Sequence, residues 1–133
     1  MLTYPVAWIV AAVVFAGMDA TWLSVMTSRL YRPLIGQHLA ARFDYGAAIA
    51  FYLLYITGLV ILAVAPALEK RSLIKALQLG AILGLVAYGA YDLTNQASLK
   101  DWDIRLTLAD MAWGAVASSA GAAAAYLAAA RFT

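Results

Sequence analysis

Four long apolar runs separated by short polar segments constrain this chain more than any other feature. They extend from about Pro5 to Met26, Tyr45 to Pro66, Ala76 to Asn95 and Leu106 to Ala130. A helix rising 1.5 Å per residue crosses a ~30 Å hydrocarbon core with about 20 residues, so each run is long enough for one span. Lipid offers the backbone no hydrogen-bonding partner. Only helices or closed barrels therefore cross it, and none of the runs alternates as a barrel strand does. The pattern predicts an all-α, four-helix transmembrane bundle, a single domain over residues 1–133 with both termini on one face. Composition agrees: 65% of residues are hydrophobic and 12% charged, against roughly 45–50% and 25% in soluble domains.

Several function classes drop out. Nine basic residues spread along the chain, with a net charge of +2, read as anchors beside lipid headgroups and not as a nucleic-acid footprint. The absence of cysteine excludes disulfides, thiolate metal sites and Cys nucleophiles. His38 is the single histidine, so no His-rich metal site is expected, and neither a metal nor a cofactor is predicted. The first run has no preceding Lys or Arg and no clear small-x-small cleavage site, so it reads as a retained span. Basic residues divide almost evenly between the two faces, and the positive-inside rule yields no orientation. In the first loop, Pro33 suits the first position of a short helix. Leu34, Ile35, Leu39 and Phe43 would then share one side and lie along the interface, or the segment is an irregular loop.

Small residues mark the packing faces. On the fourth helix Gly114, Ala117, Ser118, Gly121 and Ala125 recur at three- and four-residue spacing, and Gly80 and Gly84 form a second such face on the third. Small residues let helix backbones approach closely in lipid. The faces are read either as the two helices packing within one chain, the preferred reading, or as the interface of a homodimer.

The position of the acids is the functional clue. Three of the seven, Asp19, Asp92 and Asp110, lie inside apolar runs. An Asp at the centre of a span costs roughly 2.5–3.5 kcal/mol, so three facing lipid would cost about 8–10 kcal/mol. They should face the bundle interior. Threading places all three below the face opposite the termini, since the first and third helices end there and the fourth begins there. Helical spacing adds Trp22 to Asp19, Trp113 to Asp110, and Tyr88 and Asn95 to Asp92, with Tyr91 bordering them. Tyr45, Tyr52 and Tyr55 of the second helix reach the same end. The expected site is thus a water-accessible pocket of Asp19, Asp92, Asn95 and Asp110, rimmed by Trp22, Tyr88, Tyr91 and Trp113.

Each part also has a plainer reading. Trp and Tyr gather at membrane interfaces, which accounts for Tyr4, Trp8, Tyr31, Trp102 and Tyr126. Thr107 and Asp110 have the spacing of a capping box. Asp92 is near enough to a helix end to reach water, whereas Asp19 lies deep and must be paired or functional. The Asp-x-x-Trp pairs on the first and fourth helices run in opposite directions, so no internal repeat follows.

The run Tyr88-Gly-Ala-Tyr91-Asp92-Leu-Thr94-Asn95-Gln-Ala-Ser98-Leu-Lys-Asp-Trp102 resembles the hallmark of the DUF2177 family, small bacterial membrane proteins catalogued as a domain of unknown function. Asp19-x-x-Trp22-Leu23, Phe51-Tyr52-Leu-Leu-Tyr55 with Pro66-Ala-Leu, and Asp110-Met-Ala-Trp113-Gly114 match its other hallmarks. The chain departs from the family's usual threonines at Ala90 and Ser98. The resemblance implies a four-helix, multi-pass protein of a bacterial inner (cytoplasmic) membrane and carries over no activity.

Three function classes remain. The preferred one is binding and transport of a small ligand, cation or proton at the carboxylates, because neighbouring buried acids tend to hold a proton that a cation can replace. The second is a non-catalytic accessory or assembly subunit whose acids fix helix register. The third is a membrane enzyme acting on lipids or isoprenoids, with an Asp as general base or with carboxylates and Asn95 on Mg²⁺. The last lacks a diphosphate-binding motif and any Ser/His/Asp set. The partner common to all three is the lipid bilayer.

Overall fold

The computed structural model describes residues 2–31, 33 and 44–133. Among these there is no strand, and the described residues form four long helices. α1 covers Thr3–Met26 and passes into a π-helical turn at Thr27–Tyr31. α2 begins at Tyr45–Leu59, continues through a π-helical stretch at Val60–Val64 and ends with Ala65–Lys70. α3 is Leu73–Ser98, and α4 is Ile104–Ala129 with a closing 3₁₀ turn at Ala130–Phe132. Beyond Pro33, the surface helix expected up to Phe43, and His38 with it, lies outside the described residues.

The helix starts are set by local chemistry. Asp44, Ser72 and Asp103 each cap a helix by accepting a backbone N–H, from Ala47 at 3.0 Å, Lys75 at 3.1 Å and Arg105 at 2.8 Å. Each side chain thereby satisfies one of the unpaired amides of a first turn. α2 stops at Arg71, which takes the left-handed conformation (φ 52°, ψ 47°) while the Ser72 N–H reaches back to the Ala67 carbonyl. That is a Schellman stop with arginine where glycine is usual. The π-helical stretch of α2 runs up to Pro66, whose nitrogen has no proton to donate, and the Ala65 N–H bonds five residues back to Val60.

α1, α2 and α3 are long and apolar enough to cross a membrane. α4 has the 26-residue length of α3 but is made largely of Ala, Gly and Ser. Its packing explains the difference. α4 lies at the centre, running along α3 on one side and α1 on another, while α2 touches its neighbours chiefly through Val60–Val64. Large aliphatic residues are kept for the outer surfaces, where Ile9, Val13, Leu54, Ile61 and Val86 are exposed as lipid-facing side chains would be. The two ends of the chain meet: the Thr3 hydroxyl donates to the Phe132 carbonyl at 3.0 Å.

The small-residue faces serve this central helix in two directions. A Cβ on Gly84 would lie 2.2 Å from the Gly114 carbonyl oxygen, so α3 and α4 meet backbone to backbone. The Tyr88 ring lies against Gly114 itself, where a Cβ would fall 2.3 Å from the ring. Gly121 turns instead toward Phe15 of α1 and Leu59 of α2. Gly114, Ser118 and Gly121 therefore do not form a single stripe, and the α3–α4 face is filled within one chain.

Candidate functional site

The three intramembrane acids are all buried: Asp92 is 1% exposed, Asp110 7% and Asp19 8%. Asp92 lies six residues before the end of α3 and Asp110 six residues after the start of α4. Each is roughly 9 Å inside its helix end at 1.5 Å per residue. The common level expected from threading is present. Among the described residues the three acids do not share a single pocket. Both Asp92 oxygens are sealed from solvent. Among the described residues no three of His, Cys, Asp and Glu come close enough to share a metal ion. The acids fall into two groups.

Asp19 forms the first group. Its carboxylate accepts from the Tyr52 hydroxyl of α2 and, at 3.2 Å, from the Trp113 indole N–H of α4. The Trp113 ring stacks on Trp22 with centroids 4.6 Å apart and planes 10° from parallel. Trp22 and Asp19 sit one turn apart on α1, so a single helix face supplies both the acceptor and the platform for the donor. Phe15 closes the group from the adjacent turn, 6.1 Å from Tyr52 and 5.1 Å from Tyr55. This acid joins three helices, and each oxygen has a donor.

Asp92 and Asp110 form the second. No donor reaches either Asp92 oxygen. The group within hydrogen-bond reach is the Asp110 carboxyl on α4. Two carboxyls can bond to each other only with a proton on one of them, and otherwise they bring like charges together in a low dielectric. Tyr88 lies between the groups, within electrostatic range of Asp19, Asp110, Tyr52 and Tyr55. Tyr55 meets it edge-on at 6.4 Å and shares a 2.6 Å hydrogen bond with Ser118.

Asn95 and Tyr91 border the second group, with Tyr91 in electrostatic range of Asp92 and Asp110. The Asn95 side chain reaches the Tyr91 hydroxyl, and Tyr91 is 59% exposed, its ring 6.1 Å from Trp102. Trp102 donates to the Thr107 hydroxyl at 2.9 Å. That contact replaces the expected capping box: the cap of α4 is Asp103, and Asp110 lies well inside the helix. Trp8 likewise bonds Thr57 of α2 at 3.1 Å, so neither Trp8 nor Trp102 is simply an interfacial anchor. At the mouth, the exposed Arg105 guanidinium holds the Asp103 carboxyl below the usual carboxylate range.

Tyr52 and Tyr55, expected at this level from the sequence, bond Asp19 and Ser118, and Gln96 adds a buried group that the expected site did not include. Gln96 has a buried Oε1 that no donor reaches, and its place four residues after Asp92 was the signal for it. A groove of about 460 Å³ lies at the opposite end of the bundle, between Tyr4, Pro66, Glu69 and Thr133. It shares no residue with the acids.

No curated protein and no solved structure matches this chain. A family model described as "Predicted membrane protein (DUF2177)" matches residues 4–127. That span takes in the Asp19–Trp22 turn, the Tyr88–Trp102 run and the Asp110–Gly114 turn, and the chain belongs to this family of predicted membrane proteins.

Proposed function

We propose that this protein binds protons and small cations at a carboxyl pair inside the bilayer and exchanges them across it. One observation carries the reading: Asp92 is buried, no donor reaches it, and it faces a second carboxyl, that of Asp110. A carboxylate so placed is costly in lipid unless something positive joins it. Intramembrane acids of this kind mark ion and proton pathways. Tyr88, Tyr52 and Asp19 extend hydroxyl and carboxyl groups from the pair toward α1 and α2, a set suited to relaying a proton. The reading takes all four helices as spans, with α4 shielded from lipid by α1 and α3. It places the protein in a bacterial cytoplasmic membrane, whose proteins are helical where those of the outer membrane are barrels.

A second reading, in which the acids fix helix register within an accessory subunit, is favoured at Asp19 alone. There both oxygens are satisfied by side chains of other helices. The two readings separate in proteoliposomes carrying an internal pH-sensitive dye. The exchange reading expects flux under an imposed pH gradient that Asp92→Asn and Asp110→Asn abolish. Flux no greater than in empty liposomes, or unchanged in Asp92→Asn, refutes it and leaves the accessory reading.

A further inference from the structure

Three acceptor oxygens without a donor belong to one face of α3. Both Asp92 oxygens and Gln96 Oε1 are buried and unbonded. Gln96 follows Asp92 by four residues, so the two side chains share a face, and the Asp110 carboxyl adjoins Asp92 from α4. Buried acceptors are rarely left without partners in native proteins. Three buried acceptor oxygens on one face are complementary to positive charge.

A proton meets only part of that demand. Shared between Asp92 and Asp110, it leaves the other Asp92 oxygen and Gln96 Oε1 without a donor. A hard cation takes all of them as ligands. Calcium requires six to eight oxygens, more than two carboxyls and one amide supply, and magnesium keeps several waters, which oxygens sealed from solvent do not favour. Resting on the exchange reading above, we propose that Asp92, Gln96 and Asp110 form a dehydrated binding site for a small monovalent cation of sodium's size, which competes there with a proton. The occupants carry the same charge, so exchanging one for the other leaves the buried electrostatics unaltered.

The groups that adjoin the site are carboxyls and phenols. Asp110 faces the site from α4 and Tyr88 and Tyr91 adjoin it on α3, with Asp19 of α1 and Tyr52 and Tyr55 of α2 beyond Tyr88. Arg105 is exposed and turned to Asp103. Gln96 is only half-buried although its oxygen is sealed. It stands between Asp92 and the end of α3, and it marks the side from which a cation enters.

The test is thermal unfolding of the protein in lipid nanodiscs, titrated with sodium chloride against choline chloride at constant ionic strength. Sodium should stabilise saturably and less strongly at lower pH. Gln96→Ala should weaken its apparent affinity roughly tenfold, as loss of groups supporting a metal site commonly does. Gln78→Ala, on the exposed side of α3, should not change it, and Gln96→Glu, which preserves shape, should tighten it. If sodium does no more than choline while proton flux still requires Asp92, the cation site is refuted and the exchange reading stands. If neither effect depends on Asp92, both fall. Saturable stabilisation by calcium in place of sodium overturns the monovalent assignment.

Discussion

Replacing Gly84 with alanine tests the closest contact in the bundle. The added Cβ would lie 2.2 Å from the Gly114 carbonyl oxygen, 2.7 Å from the Gly114 carbonyl carbon and 2.7 Å from Ser118 Oγ. Ordinary contact begins near 3.4 Å. Two of the three atoms are backbone, so no rotamer change relieves the clash, and α3 and α4 must part by about 1 Å. Overpacking of this kind costs about 1–3 kcal/mol, and a gap of that size forfeits part of the dispersion along the seam. Alanine's better helix propensity returns at most about 1 kcal/mol. Gly58→Ala isolates that return, because nothing lies within 4 Å of its added Cβ, and Gly121→Ala meets atoms no nearer than 3.4 Å. Thermal unfolding in detergent micelles should therefore rank Gly58→Ala at or above wild type, Gly121→Ala near it and Gly84→Ala well below. If Gly84→Ala is as stable as Gly58→Ala, the α3 and α4 backbones do not touch at that point, and the account of α4 as a central helix fails with it.

Tyr52→Phe removes one of the two donors to Asp19 and should cost about 1–2 kcal/mol in the same unfolding assay; an unchanged midpoint would mean that this bond does not hold α2. Asp92→Asn supplies an amide donor to Asp110 and should raise stability by about 1–3 kcal/mol while ending ion flux, so a stability loss would contradict the absence of a donor there. Arg105 depresses the Asp103 pKa in the folded state, so the stability this exposed pair contributes is present above the ordinary carboxylate value of about 3.9 and lost as pH falls through the folded value. Arg105→Ala should raise the Asp103 titration toward its ordinary value in a carbon-detected NMR experiment, but not fully, because the backbone N–H of residue 105 still donates to it. Reporter fusions at the two ends should report one compartment, as the Thr3–Phe132 contact requires.

The helices were legible in the sequence because span length and hydropathy are local properties, and the common level of Asp19, Asp92 and Asp110 followed from counting crossings. What sequence spacing could not show was azimuth. Gly114 and Gly121 look like one face at helical spacing, yet α4 is covered on more than one side, and they meet α3 and α1 respectively. Asp19, Asp92 and Asp110 share a depth but look to different neighbours, so one expected pocket became two groups. Asn95 was assigned by its three-residue distance from Asp92, and it turned to Tyr91 instead. Gln96, at the equally favourable distance of four, was overlooked because an uncharged amide carries no insertion penalty large enough to draw notice. The capping box failed for a similar reason: Thr107 and Asp110 have the right spacing, but Asp103 starts the helix earlier.

The bonds of Asp19 have a consequence for how the protein is made. Its partners lie 33 and 94 residues further along the chain. α1 is synthesised before either partner of its carboxyl, and Tyr52 is the first of the two to follow. Trp113 arrives only with the last helix, the one against which α1 finally rests. Until then α1 is held to α2 by that phenol, the Trp8–Thr57 bond and the Phe15 contacts with Tyr52 and Tyr55, whereas α3 and α4 are consecutive and fit closely as soon as both exist. Assembly thus ends with the oldest helix docking onto the newest, and the tryptophan stack closes behind it.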